Sequence, residues 1–282
     1  MWKKIVTVIA VVLLLTGVGF LAFPTVSNEV GKIKANGAIE TYEEEVNNVV
    51  ESVTDPSDGT PVTTFEEAKK RHIVDDEGYP IKWTRNTTWF SSGGGSYQRT
   101  SDHRMTFQES LDMLLRDSKK YNKSILNNQG TVDTNDYKHA ALDMSKYGLG
   151  YVYAYLSAPT IGMSLPIYLG ANDEMMSYGA AHMNNTSLPL NETSTNCVVA
   201  GHTGYIGRIF FDNIRNLKKG DEVTVKNFWE KIRYKVIGFK KVEQTQTTDT
   251  VIQNGRKLLT LVTCTPLDNG KYGRYIVICE AK

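Results

Sequence analysis

A chain of 282 residues has room for one large domain or two small ones. Its 32 Lys and Arg against 31 Asp and Glu leave a formal charge of +1, so no broad basic field is present to hold nucleic acid through its phosphates. Three cysteines are too few for a disulfide-built scaffold, and the odd number leaves at least one thiol without an intramolecular partner.

The first element is a run of 19 uncharged residues, Ile5 to Phe23, preceded by Lys3 and Lys4. As a helix it spans about 28 Å, close to the thickness of a bilayer core. It is apolar on all sides, which suits lipid better than the one-sided burial of a soluble domain. Leu21-Ala22-Phe23-Pro24 is a poor cleavage site, so residues 1–24 read as an uncleaved anchor. The lysines then stay cytoplasmic and the rest of the chain is extracellular, anchored to the cell membrane by a single pass. No second run of this kind occurs up to Lys282.

Residues 25–146 read as a helical extension. Ile39, Tyr42, Val46, Val49, Val50 and Val53 recur at three- and four-residue steps and predict an amphipathic helix ended by Asp55-Pro56. A second helix opens at Thr106, where Thr106 and Glu109 form a capping box, and runs through Leu111, Leu114, Leu115, Tyr121 and Ile125. Between them, about 57–104, lies an irregular insertion rich in Ser, Thr, Gly and charge, with one short helix expected near Phe65–Arg71. Its Trp83, Trp89 and Phe90 suit a small satellite core or a binding surface.

From 147 to 282 the pattern becomes strand-like. Runs rich in Val, Ile, Tyr and Thr occur at Tyr151–Leu156, Leu165–Leu169, Thr195–Ala200, Glu222–Val225, Ile232–Val242, Leu258–Thr263 and Arg274–Cys279, divided by Gly, Asn and Asp turns. Seven or eight strands without regular intervening helices predict a mainly β fold, an antiparallel barrel or sandwich.

The chemistry-bearing residues sit at the ends of these strands. Cys264 closes the run Leu258-Leu259-Thr260-Leu261-Val262-Thr263, and Thr265-Pro266 then turns the chain away. His202 follows Val198-Val199-Ala200, and Arg274 opens the last strand. A thiol nucleophile needs a base or a positive neighbour, and a guanidinium can hold the oxyanion formed in acyl transfer. On spacing alone, an inert buried thiol and a histidine bound to a backbone carbonyl fit equally well. The other histidines, His72, His103, His139 and His182, form no metal-ligand spacing with the cysteines, so no metal is expected.

Thr260-Leu261-Val262-Thr263-Cys264-Thr265-Pro266, followed by Arg274-Tyr275-Ile276-Val277, resembles the active-site signature of the sortases, a Thr-Leu-x-Thr-Cys strand preceding an Arg on the next strand. Leu165-Pro166-Ile167-Tyr168, Ser187-Leu188-Pro189-Leu190 and Ala200-Gly201-His202-Thr203-Gly204 with Phe211 to Asp221 occur in the order that family shows, and the resemblance covers roughly Tyr151 to Lys282. It implies an eight-stranded sortase β-barrel behind the helical extension and the membrane-spanning helix. It also implies transpeptidation. Cys264 would cleave a Leu-Pro-x-Thr-Gly-like sorting signal between Thr and Gly through a thioacyl-enzyme, His202 would serve as general acid and base, and Arg274 would hold the oxyanion. Thr263 and Thr265 are the candidates for substrate binding, and Thr263 is also a candidate for positioning through its backbone or hydroxyl.

The stretch from Val242 to Leu258 is too short for the long helix of class B sortases, and Leu165-Pro166-Ile167-Tyr168, Ser187-Leu188-Pro189 and Cys264-Thr265-Pro266 most resemble the pilin-polymerising class C. Expected partners are therefore sorting signals of pilin or surface proteins and an amine acceptor, either a pilin lysine or a peptidoglycan precursor. A housekeeping sortase attaching surface proteins to peptidoglycan is the alternative, and an inactive barrel that only binds is a third reading. Class C lids carry Asp-Pro-aromatic, where this chain has Val132-Asp133-Thr134-Asn135-Asp136-Tyr137. Asp136 and Tyr137 are the lid candidates, within about 130–140, against a plain surface loop. No cofactor is expected, and calcium dependence is left open because only Asp249 and Asp268 stand out near the thiol. In the strand arrangement that the resemblance implies, the Cys264 strand runs between Cys197 and Cys279, so both are expected as buried thiols too far apart to join.

Overall fold

The computed structural model describes residues 2–51, 70, 107–126, 136–147, 149–204, 210–246 and 248–281. The insertion at 57–104 with Trp83, Trp89 and Phe90, the expected short helix there apart from Lys70, the cap at Thr106 and positions 130–135 of the expected lid lie outside these residues.

The anchor and the first extension helix, expected as two elements, form one helix, α1 (Trp2–Glu51), with Pro24 inside it. No second proline lies within α1, and Gly31 and Gly37 each cost only about 1 kcal/mol in a helix. Pro24 removes one intrahelical hydrogen bond where the apolar run ends. A stretch of α1 near the N-terminus is long and apolar enough to cross a membrane. Toward the C-terminal end of that stretch and past it, Ala35, Ile39 and Tyr42 are buried against the remainder of the protein.

The second helix, α2 (Phe107–Ile125), buries Leu111, Leu114, Ser118, Asn122 and Ile125 along one face, the three- and four-residue spacing of a packed stripe. Polar atoms on that stripe are matched to the barrel. Asn122 donates to the Leu188 carbonyl at 3.1 Å and accepts from the Leu188 amide at 2.8 Å, and Tyr153 donates to the Ser118 hydroxyl at 2.9 Å. Paired in this way, the buried amide and hydroxyl avoid the desolvation cost of an orphaned group.

The strands are β1 (Val152–Ala158), β2 (Met163–Leu169), β3 (Ala180–His182), β4 (Thr195–Ala200), β5 (Glu222–Asn227), β6 (Lys231–Val242), β7 (Lys257–Pro266) and β8 (Tyr272–Ala281). They close into a barrel in the order β1-β2-β3-β4-β7-β8-β6-β5. The β2/β3 and β4/β7 pairs are parallel, the others antiparallel. Seven strands lie where the β-branched runs predict them. The eighth, β3, is the sequence Ala180-Ala181-His182, which has no strand propensity of its own and exists because β2 and β4 offer their free edges to it.

Alternation along the strands separates two apolar sets. Cys197 and Val199 of β4, Leu259 and Leu261 of β7, and Val277 and Cys279 of β8 belong to the main core inside the barrel. Val198, Val262 and Ile276 point the other way and, with Val242, form a small cluster on the outer face. Cys197, Leu259 and Cys279 stand in register on three neighbouring strands, so two strand spacings, about 9–10 Å, divide the thiols. All three cysteines are free. Burial pushes the Cys279 thiol up to about 12 and raises that of Cys197 further, which leaves both unreactive.

Candidate active site

Cys264, Arg274 and His202 are delivered by three adjacent strands. Cys264 and Arg274 are direct cross-strand partners of β7 and β8, and the Arg274 Nη1 lies 3.4 Å from the Cys264 Sγ. On the other flank, Ala200 pairs with Val262, and the Gly201 amide continues that ladder by donating to the Val262 carbonyl at 3.1 Å. The next residue, His202, opens the loop that leaves β4 beside the Cys264 end of β7. The thiol stands between the imidazole-bearing strand and the guanidinium-bearing strand. Cys264 is exposed and shares the outer face with Val262, whereas Cys197 and Cys279 are buried inside.

The loop carrying His202 is held on both sides. The Gly201 carbonyl accepts from the Thr263 hydroxyl at 2.7 Å, and the His202 carbonyl accepts from the Phe211 amide at 2.9 Å. Gly201 is required by the close approach of Phe211, whose ring carbons would lie 2.6 Å from an added Cβ. Gly273, next to Arg274, is equally confined, since a Cβ there would meet the Val242 carbonyl oxygen at 2.3 Å.

Thr263 and Thr265 do not line the groove as expected for substrate binding. They are 2% and 1% exposed and point into the barrel, because side chains alternate along β7 and Cys264 takes the outward position between them. The Thr263 hydroxyl ties the strand of the thiol to the loop carrying His202, which suits the positioning role and not the substrate-binding one. Thr263→Val is expected to lower kcat, with on the order of 10²-fold loss for an ångström-scale displacement of His202, while KM stays near its parent value. Steady-state kinetics on the Leu-Pro-x-Thr-Gly-like peptide that the sequence resemblance implies check it, and a change confined to KM would restore the substrate-binding role.

Asp136 and Tyr137 form part of a short 3-10 turn, Asp136–Lys138. The Tyr137 carbonyl accepts from the amides of Ala171 and Asn184, at 2.9 and 3.3 Å. Ala171 follows the C-terminal end of β2, which runs antiparallel to β7, so this contact lies toward the rim opposite Cys264, roughly five residues or ~15 Å down the strands. The structure does not bring these two lid candidates to the thiol.

Two features escaped the sequence reading. Arg215, in the 3-10 turn Asp212–Asn216, donates from Nη2 to the Cys264 carbonyl at 3.1 Å and places its guanidinium carbon 5.7 Å from the centroid of the Tyr275 ring. Nothing in the sequence around Arg215 marks it, since its partners lie 49 and more residues away. Asn196 donates to the carbonyls of Asp249 and Val251 and accepts from the Thr260 hydroxyl, which fastens the β6–β7 connection across the outer face of β4 and β7. Lys240 pairs with Asp249 on the same connection. A wall is thereby fixed beside the outer-face cluster that leads to Cys264.

An exposed thiol with a guanidinium 3.4 Å from its sulfur, on the rim where the strand before His202 also ends, suits acyl transfer by a sulfur nucleophile. The sortase domain family model matches residues 156–282. The chain is 30% identical to sortase C-1 from Actinomyces oris, over 60% of this chain and 98% of that one, with a TM-score of 0.50. It is 29% identical to a pilus-related sortase C of Group B Streptococcus, over 62% of this chain and 90% of that one, with a TM-score of 0.54. A sortase A of Bacillus anthracis is 27% identical over 146 residues, which span 51% of this chain and 64% of that relative. The chain belongs to the sortase family.

Proposed function

We propose that the protein is a membrane-anchored transpeptidase of the pilin-assembling type, with an anchor at 1–24, a helical extension at 25–146 and a catalytic barrel at 147–282. The observation that carries the reading is the 3.4 Å approach of Arg274 to the Cys264 sulfur across one register pair. The Cys264 thiolate attacks the carbonyl carbon of the threonine in a Leu-Pro-x-Thr-Gly-like signal, and Arg274 holds the oxyanion that forms. His202 protonates the leaving glycine nitrogen as the peptide C–N bond breaks, leaving a thioester on Cys264. An amine then attacks the thioester and gives its proton to His202, and collapse forms the new amide and frees the thiolate. The likeness to sortases C, one of them described as pilus-related, favours a pilin lysine as acceptor.

Likeness to a sortase A supports the second reading, attachment of surface proteins to peptidoglycan. Detergent-solubilised full-length protein, given a sorting-signal peptide and either a lysine-bearing pilin domain or a peptidoglycan-type amine, separates the two. Preferential amide formation with the pilin lysine is the expected result. Preference for the peptidoglycan amine selects the second reading, and absence of any cleavage sinks both.

A further inference from the structure

α1 reports how the barrel stands on the membrane. After Phe23, the half-buried or buried residues of α1 include Ser27, Asn28, Gly31, Ala35, Ile39 and Tyr42, which recur at three- and four-residue steps along one side. Its two ends touch different places. Asn28, Gly31 and Ala35 border a cavity of about 150 Å³ together with Ile161, Met163 and Phe210. Tyr42 packs on Phe228 and Tyr155, with ring centroids 4.7 and 6.0 Å away.

The register tells which end of the barrel each place belongs to. β2 is parallel to β3, β3 antiparallel to β4, and β4 parallel to β7, so β2 begins at the rim where β7 ends with Cys264. Ile161 and Met163, at the β1–β2 hairpin, therefore stand at the catalytic rim. Phe228 follows the end of β5, which is level with the start of β1 at the opposite rim. Asn28 lies by Ile161 and Tyr42 by Tyr155, about 21 Å apart along the helix, so α1 runs along β1 in the opposite direction. Followed back toward its N-terminus, the helix leaves the barrel on the side of Cys264. A bend at Pro24 changes its tilt without sending it to the other rim.

The spacing also sets a height. Asn28 is five residues past Phe23, about 7 Å along the helix, and the headgroup layer on each side of a bilayer is about 5–7 Å thick. Val26, Val30 and Ile33 remain 60%, 45% and 68% exposed on the other side of this same stretch, an apolar stripe that continues that of the span. The geometry points to a barrel whose catalytic rim is turned toward the bilayer, with the β1–β2 hairpin against the lipid headgroups. This rests on α1 being the membrane anchor. The exposed thiol of Cys264 then stands on the side of substrates held in the same membrane, and the opposite rim, with Asn254 and Arg256, faces away from it.

The test uses the full chain with Cys264→Ala, in liposomes, so that a single introduced thiol carries the fluorophore. Thr160→Cys and Asp268→Cys place it on the catalytic rim, and Asn254→Cys on the opposite one. Quenching by headgroup-linked nitroxide lipids is expected to be several-fold stronger at 160 and 268 than at 254. Equal quenching at all three sites, or stronger quenching at 254, overturns the orientation. Flotation of the liposomes after a carbonate wash reports the anchor separately. Loss of the protein from the floating fraction overturns the anchor and the orientation together, whereas retention with the reversed quenching pattern overturns the orientation alone.

Discussion

Cys264→Ala is expected to abolish thioester formation and amine transfer together, while unfolding shifts by no more than about 0.5 kcal/mol. The side chain is exposed at a strand end and no packed neighbour depends on it. Arg274→Ala is expected to cost on the order of 10²–10³ in kcat, the usual loss for a donor aimed at a developing oxyanion. Arg274→Lys restores the charge and not the planar, multiply donating guanidinium, so recovery is expected to be small. The 3.4 Å contact between Nη1 and Sγ places the guanidinium where the carbonyl of a bound acyl group must pass. Single-turnover assays with mass detection of the acyl-enzyme separate the outcomes. An acyl-enzyme that accumulates normally in Arg274→Ala, with only its release slowed, would remove Arg274 from the acylation step.

Acidification is expected to destabilise the barrel through His182, well before most carboxylates are protonated. This histidine is fully buried at the end of β3, and burial lowers its pKa to about 4. Its Nε2 lies 3.1 Å from the carbonyls of both Thr186 and Ser187, which suits a neutral ring donating from that nitrogen. Nδ1 has no hydrogen-bond partner among the described residues, so a second ring proton would be buried without an acceptor. In the unfolded chain the ring titrates near 6.5, so between about 6.5 and 4 the unfolded state binds the extra proton and stability falls as pH falls. The loss is about 2 kcal/mol at pH 5 and approaches roughly 3 kcal/mol at pH 4. Urea midpoints at pH 7 and pH 5 check the sign, with His182→Gln as the reference that cannot titrate. A parent protein whose midpoint moves no more than that of the variant would show that His182 is not the group responsible.

Much of the candidate site was legible because its residues lie at the ends of strands with strong local signals. β4 spans Thr195–Ala200, as its Val-Val run predicts, and Cys264 falls within β7 two residues before its end at Pro266. Thr263 and Thr265 were misread because the face of a strand end depends on which neighbours close the barrel. A one-residue change of register would have turned them outward and Cys264 inward. Arg215 was invisible for a related reason. Its partners, the Cys264 carbonyl and the Tyr275 ring, are brought to it only when β7 and β8 meet the turn before β5.

By itself the sequence determined the kinds of element and the chemistry they carry: an apolar run of membrane length, amphipathic helices, β-branched strands, and a Cys, a His and an Arg at strand ends. These depend on side-chain periodicity and on groups with intrinsic reactivity, both of which are local. Only the tertiary structure decided that α1 is continuous, that β3 exists, that Asp136 and Tyr137 sit away from the thiol, and that α1 crosses the barrel beside the β1–β2 hairpin. Those outcomes depend on register and closure among strands distant in sequence, where hydrogen bonds and packing across the barrel outweigh the small preferences of single residues.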